Sequence, residues 1–566
     1  MMRTGMVADG LRRRLDARVV LLAGLLGWTA VATSLDCGHV GVVLDDGIYL
    51  ASAQSLRDSK GYALPSRPGN PSPKYPIGLP GAISMALRFA PGSPSLSRDI
   101  AVARGVVLAS GWVFGLGGFA WLTRIGLGPW SATLIVLTTL FHHVALIGCS
   151  TTIFSDMPFC AIAYLLMARW ASTRPLDRPW RASLADGVFA GLAMLIRGNG
   201  ISLALAALVA SAIGPKARGR VVACALGLVL VLLPAKGLIA RRVHPVASGD
   251  YALEFRAGWS SAEAGLRIVG GNTWSTLFDF PTDVLFPNLR YTAPLVQYSS
   301  VHPGGSALIR GIFTAIVAIG VFRLARSSTR RDLPAWVHFA ATAGIFAVWP
   351  WPSIIDRFLL SLFPMVLLAF GLGVDLVARR ILPMAYEYAN APERPRFATP
   401  LVFAALLLPW ASGLSVAGRS VMVFHRSGRQ WPGGSTNASL NQALAYLRTR
   451  TEADSVVAAY WPETVYLYTA RQAVPLLEDD DVVAQRYGRR ERLLSWMAEI
   501  PGRPFYLLVR SPDEDPKKVD LGQAEALAAD PGLERREVYR TPDDRYRVEQ
   551  VVHHSGKLAG RMTPGR

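Results

Sequence analysis

Four cysteines in 566 residues are too few to read as a disulfide framework. Cys160 and Cys224 fall inside apolar runs, which leaves Cys37 and Cys149 as the pair that could meet. Acidic residues are scarce beside basic ones, 40 against 59, and the formal net charge is +19. Such an excess suits a nucleic-acid surface when it is gathered into one patch with interleaved aromatics; here it is spread over short segments, so no nucleic-acid partner is expected. Also missing are a repeat of about 20 to 50 residues, a heptad pattern and a long low-complexity tract, which excludes solenoids and coiled coils.

What the chain has in quantity is apolar surface. Hydrophobic residues make up 51% of it, and the mean hydropathy of +0.29 is high for a chain that must cover a polar surface. Runs of about 20 apolar residues, enough to cross a hydrocarbon core of roughly 30 Å, start near Val19, Ala103, Ser131, Thr152, Val221, Ala307, Pro334, Ile354 and Leu401. The basic "LRRRLDAR" precedes the first run without a small-residue cleavage site before Asp36, so that run reads as an uncleaved span. With a cytoplasmic N-terminus, basic residues concentrate in the inner loops, among them "STRPLDRPWR", "GPKARGR" and "RLARSSTRRD", as the positive-inside rule asks. The basic excess is then a topology signal. Lys236, Arg241 and Arg242 run against it, since they fall on the outer side.

Asp186 to Gly214 reads either as one long span or as two short ones broken at "RGNG". Both flanking loops are basic, which favours a hairpin and puts Arg197 near the outer surface. The expected architecture is mostly α: a polytopic membrane protein with about eleven transmembrane helices over residues 1–425, with outer loops at about 36–98 and 242–304. Residues 426–566 read as a soluble α/β domain on the outer face, from a helix-like "SLNQALAYLRTRT" and strand-like "DSVVAAYW", "RPFYLLVRS" and "RYRVEQVVHH".

On this topology the polar residues converge. Asp45 and Asp46, His142 and His143, Ser155 and Asp156, Arg197, and Asp356 with Arg357 all fall at the outer membrane face. A charge inside the hydrocarbon costs about 2.5 to 3.5 kcal/mol on insertion scales, so ionisable residues kept there face a cavity or a partner. Each also has a plainer reading. Asp45-Asp46 and Ser155-Asp156 suit helix N-caps, the histidines lack zinc-ligand spacing, the arginines can snorkel, and Trp349 and Trp351 suit an interfacial belt. "NAS" at Asn437 fits a glycosylation sequon. Trp259, Trp274 and Tyr291 are candidates for sugar stacking or for packing.

The Asp45-Asp46 pair followed by Tyr49, then "KYPIGLPG" (Lys74 to Gly81), resembles the first outer loop of GT-C membrane glycosyltransferases, in the branch with protein O-mannosyltransferases and aminoarabinose transferases. "FSDMPF", "LIRGNG", "DRFLLSLFPMVLL" and "TVYLYTARQAVPL" resemble further segments of that branch, in the same order along nearly the whole chain. Many members carry Asp-Glu where this chain has Asp45-Asp46. The resemblance implies an integral membrane enzyme, with its active site on the outer side, that takes a sugar from a polyprenyl phosphate carrier. The acceptor would be a glycan, glycolipid or protein. It implies Asp45 and Asp46 as the catalytic carboxylates, with Asp45 as the base, and Lys74, Arg357 and Arg197 as donor-phosphate ligands. Asp156 is a candidate metal or acceptor ligand; the sequence requires no cofactor and allows a divalent metal. A secondary transporter or flippase of lipid-linked sugars, or a non-catalytic relative, is the alternative. The long acidic first loop and the absence of paired halves favour the enzyme.

Overall fold

The fold is that of a computed structural model, which describes residues 2–35, 39–41, 45–70, 73, 75–172, 179–214, 216–240, 259, 261–287, 303–349, 355–381, 400–426, 436–476, 497, 500, 502–511 and 533–553. Apolar helices dominate. In chain order they are α1 (Met2–Ser34), α2 (Asp45–Arg57), α3 (Gly78–Phe89), α4 (Leu96–Arg124), α5 (Pro129–Phe141), α6 (Asp156–Ser172), α7 (Trp180–Ile196), α8 (Ile201–Ala212) and α9 (Ala217–Ala240). Then follow α10 (Ala262–Trp274), α11 (Phe280–Leu285), α12 (Pro303–Ser327), α13 (Leu333–Ala347), α14 (Ile355–Phe358), α15 (Phe363–Ile381) and α16 (Pro400–Arg426).

Six helical segments among the described residues are long and apolar enough to cross a membrane: Ala17–Ser34, Leu96–Arg124, Ala217–Gly237, Ala307–Ser327, Leu360–Arg380 and Leu401–Arg419. Pro129–Phe141, Gly198–Ala212 and Leu333–Ala347 are apolar but shorter, so the expected eleven includes helices that do not meet the length criterion. Local signals set several ends. Ser95 accepts a hydrogen bond from the Arg98 amide at 3.3 Å and caps α4, while Pro129 opens α5 at a position where its missing N–H costs nothing. The "RGNG" stretch breaks the helix as anticipated: α7 stops at Ile196, Gly198–Gly200 form one 3-10 turn, and α8 packs back on α7.

Close helix approach follows from small residues, as is usual between spanning helices. A side chain at Gly111 of α4 would run into the Trp28 ring, and one at Gly320 of α12 would run into the Ala369 carbonyl of α15. Two buried aspartates lock helix pairs. Asp186 of α7 takes Arg169 at 2.9 Å and the Trp170 indole N–H at 2.9 Å, and Asp375 of α15 takes Arg323 and Arg379. The Asp186 pair joins the last turn of α6, whereas Asp156 opens that helix; the two ion clusters therefore stand at opposite ends of α6.

The C-terminal region carries α17 (Thr436–Arg450), β1 (Val456–Ala459), α18 (Pro462–Thr469), β2 (Gln472–Pro475), β3 (Phe505–Arg510), β4 (Leu533–Arg540) and β5 (Tyr546–His553). The strands form one sheet in the order β2-β1-β3-β5-β4, with β1 parallel to β2 and β3 and the rest antiparallel. Both faces of its centre are buried. Val456, Ala458 and Leu507 pack on one side, and Val457, Ala459 and Leu508 pack on the other against Leu440, Leu444 and Leu447 of α17. That explains why β1 and β3 read as continuous apolar runs rather than alternating ones.

Candidate active site

The site begins where short helices α2 and α3 cross the ends of the longer ones. Gly78 makes that crossing possible, because a Cβ there would stand 2.5 Å from the Leu195 carbonyl oxygen at the end of α7. The glycine in "KYPIGLPG" therefore lets the start of α3 lie directly on the "LIRGNG" break. Tyr75 and Arg197, far apart in the chain, are brought to the same end of the bundle.

Four charged side chains then form a string of alternating sign. Arg197 donates to Asp156 Oδ1, Asp156 Oδ2 faces Arg357 Nε at 3.6 Å, and Arg357 Nη2 donates to Asp45 Oδ2 at 3.0 Å. The Tyr75 hydroxyl closes the string by donating to Asp45 Oδ1 at 2.6 Å. Tyr62 holds Tyr75 in turn, its hydroxyl donating to the Tyr75 carbonyl at 2.6 Å. Aromatic faces support the cations: the Arg357 guanidinium lies 4.0 Å from the Phe154 ring centroid and 5.0 Å from that of Phe358, which Arg197 also approaches at 4.5 Å. Ser155 accepts from the Tyr49 hydroxyl at 3.2 Å. The structure thus brings Asp45, Asp156, Arg197 and Arg357 together.

Accessibility along the string is uneven. The Asp156 side chain is 2% exposed, while Asp45 is 21% exposed and reachable from outside. Desolvation of this kind is tolerated because every carboxylate faces a guanidinium, and removing one partner would strand the other. The two charges of each sign cancel, so the string carries no net charge.

Asp46 has different surroundings from its neighbour. It is 3% exposed, and its Oδ1 accepts from the backbone N–H groups of Gly41 and Gly47, both at 2.9 Å. Burial pushes its carboxyl up from 3.8 to about 7, against the pull of those two hydrogen bonds. The proton is therefore held more tightly in the folded protein than in the unfolded chain. The resulting stabilisation is complete below pH 3.8 and is lost as the pH rises through about 7. Asp46→Asn keeps an oxygen acceptor for both amides and removes the titration. Thermal unfolding in detergent between about pH 4 and 7 is expected to show a flatter dependence on pH in that variant; an unchanged slope would assign the titration to another group.

Other candidates are placed as follows. Lys74, Trp351, Tyr291, Cys37, Arg241 and Arg242 lie outside the described residues, as do the side chains of Asp356 and Asn437. His142 is buried, its Nε2 3.1 Å from the Asp283 carbonyl oxygen and its ring against Phe363. Trp349 joins the aromatic cluster of Phe346 and Phe358 beneath Arg357. Trp259 packs over Gly265, and Trp274 stacks on Phe278 at 4.2 Å. Among the described residues no group of three or more His, Cys, Asp or Glu is gathered to hold a metal ion. Of the carboxylates that could hold one, Asp45 and Asp156 face guanidinium groups, and Asp46 accepts from the Gly41 and Gly47 amides. Sequence reasoning missed the Tyr75 hydroxyl as the partner of Asp45, and the supporting rings of Phe154 and Phe358. The only signal for them is their place inside motifs already singled out.

No family sequence model matches this chain, and no curated protein matches it by sequence. Solved structures do match by shape. ArnT from Cupriavidus metallidurans bound to undecaprenyl phosphate superposes with a TM-score of 0.56 at 15% identity, over 97% of this chain and 98% of that one. The oligosaccharyltransferase of Archaeoglobus fulgidus tethered with an acceptor peptide gives 0.52 at 12% identity, over 93% of this chain and 73% of that one. The same enzyme in complex with Zn and sulfate gives 0.54 at 12%, over 93% and 72%. The fold is that of the GT-C membrane glycosyltransferases.

Proposed function

We propose that the chain is an integral membrane glycosyltransferase that moves a sugar from a polyprenyl phosphate donor to a glycan, glycolipid or protein acceptor on the outer membrane face, with inversion. The observation that carries this reading is the charge string from Asp45 to Arg197 at the ends of apolar helices, in a fold for which ArnT is solved with undecaprenyl phosphate bound. A donor with its tail in the bilayer and its phosphosugar at the interface suits a site at that depth.

Asp45 is the general base, being the accessible carboxylate of the string. It takes the proton of the acceptor nucleophile, which attacks the anomeric carbon from the face opposite the phosphate. The bond from that carbon to the phosphate oxygen breaks, and its electron pair leaves on the polyprenyl phosphate. Arg357 and Arg197 stabilise the charge that develops there; a guanidinium carries five N–H donors in a fixed fork, more than the string uses. Lys74, next to Tyr75 in the chain, supplies the additional cation that the neutral string lacks. Asp46 shapes the loop, and no step is assigned to a metal.

The test uses the full chain in lipid nanodiscs with a panel of polyprenyl phosphate sugars and cell-envelope acceptors, following release of polyprenyl phosphate by mass spectrometry. Acceptor-dependent release with at least one donor is expected. A folded protein that releases nothing from any donor, yet moves lipid-linked sugar between leaflets, overturns the enzyme in favour of a flippase.

A further inference from the structure

We propose that α18 of the C-terminal region positions the base: Glu463 and Thr464 are positioning residues that hold the Asp45 segment in register with Arg357. The inference rests on the glycosyltransferase reading for its catalytic consequence, and on geometry alone for the clamp itself.

Val40 and Gly41, a few residues before Asp45, are held by α18. Val40 donates its N–H to the Tyr468 hydroxyl at 3.2 Å, and its carbonyl accepts from Thr464 Oγ1 at 3.2 Å. Gly41 follows with φ +99°, and a Cβ there would stand 2.6 Å from Thr464 Oγ1 and 2.7 Å from the Thr464 backbone nitrogen. The backbone at Gly41 therefore lies flat on the first turn of α18, in a conformation that favours glycine. A Cβ at Gly47 would lie 2.7 Å from both Glu463 Cβ and Gly41 Cα, so the first turn of α2 is pressed against the same residues. Asp46 Oδ1 ties Gly41 to Gly47.

The chain leading out toward Tyr75 is held by the same elements. Glu463, fully buried, takes Arg67 at 3.2 Å. Ala473 of the edge strand β2 donates its N–H to the Ser66 carbonyl at 2.7 Å, and the Gln472 side chain donates to the Arg67 carbonyl at 3.3 Å. Val40 and Gly41 before Asp45, and Ser66 and Arg67 on the way to Tyr75, are thus all held from the C-terminal region. The segment "TVYLYTARQAVPL" thereby gains a physical role, because its hydroxyls and strand edge set where a carboxylate far earlier in the chain meets its arginine.

Ordinary domain packing would also place these contacts, so the test separates stability from register. Thr464→Val keeps the shape and loses the hydroxyl; Thr464→Ser keeps the hydroxyl; Glu463→Gln keeps the shape and loses the charge. With the donor that wild type uses, Thr464→Val and Glu463→Gln are expected to lower kcat about tenfold or more while leaving the donor KM within about twofold, because a small misplacement costs rate rather than binding. Thr464→Ser should return to within about twofold of wild type. Hydrogen–deuterium exchange reads the clamp without any turnover: amides of residues 45 to 57 should exchange about tenfold faster in Thr464→Val, with α4 unchanged. Unchanged exchange in that segment overturns the clamp whatever the activity. Faster exchange with wild-type kcat in both variants overturns the positioning role. Wild type that turns over no donor refutes the parent reading and leaves the exchange result to decide the clamp.

Discussion

Replacing Asp45 with asparagine is expected to lower kcat by about 10²- to 10⁴-fold, the range a positioned general base supplies, with donor binding and fold retained. Asparagine keeps an oxygen for the Tyr75 hydroxyl, and Arg357 keeps Asp156 at 3.6 Å, so the cation is not stranded. The Asp45 and Arg357 side chains are largely buried, at 21% and 16% exposure, and Arg357 keeps Asp156, so losing the charge-assisted bond is expected to cost about 1 to 3 kcal/mol of stability. The informative comparison is Asp46→Asn. Its oxygen still bridges Gly41 and Gly47, so transfer should stay within about tenfold of wild type if its part is to shape the loop. Single-turnover release of polyprenyl phosphate measures both variants. If Asp46→Asn were the inactive one and Asp45→Asn retained most of the rate, the two roles would have to be exchanged.

Parts of this structure are legible in the sequence for reasons that can be stated. The break at "RGNG", the strands β1, β3 and β5, and helix α17 follow from local signals: turn residues, buried apolar runs and a helical apolar period. The convergence of Asp45, Asp156, Arg197 and Arg357 is legible as well, because a charge beside a long apolar run needs a partner and sidedness restricts where it can be found. Strand β4, "LERREVYR", is not legible. It sits at a sheet edge with Glu537, Val538 and Arg540 half-buried or exposed, where pairing with β5 overrides a sequence that looks like a charged loop or helix. The division of labour between Asp45 and Asp46 is also hidden. Nothing local distinguishes two adjacent aspartates, and the difference comes from Gly41 on one side and Arg357 on the other, 312 positions from Asp45. The Arg67–Glu463 pair spans 396 positions and carries no motif of its own.

The second large effect concerns Asp156, the carboxylate that two arginines share. Asp156→Leu leaves Arg197 beside an apolar group, and loss of one partner from a buried pair destabilises by about 3 to 5 kcal/mol. Adding Arg197→Met removes the stranded cation and is expected to restore most of that stability, since replacing a whole buried pair by apolar groups of similar volume is close to neutral. Stability and function should then part company. The double variant lacks one of the two arginines assigned to the donor phosphate, so it should fold, retain a raised donor KM and transfer slowly, whereas a purely structural pair would regain activity along with its fold. Thermal denaturation in nanodiscs and donor-dependent release of polyprenyl phosphate supply the two readouts, and the coupling between the single changes follows from a double-mutant cycle. A double variant as unstable as Asp156→Leu alone would show that Arg357, not Arg197, dominates the energetics of Asp156. A double variant with wild-type donor KM would remove Arg197 from the phosphate site and leave phosphate binding to Arg357 and Lys74.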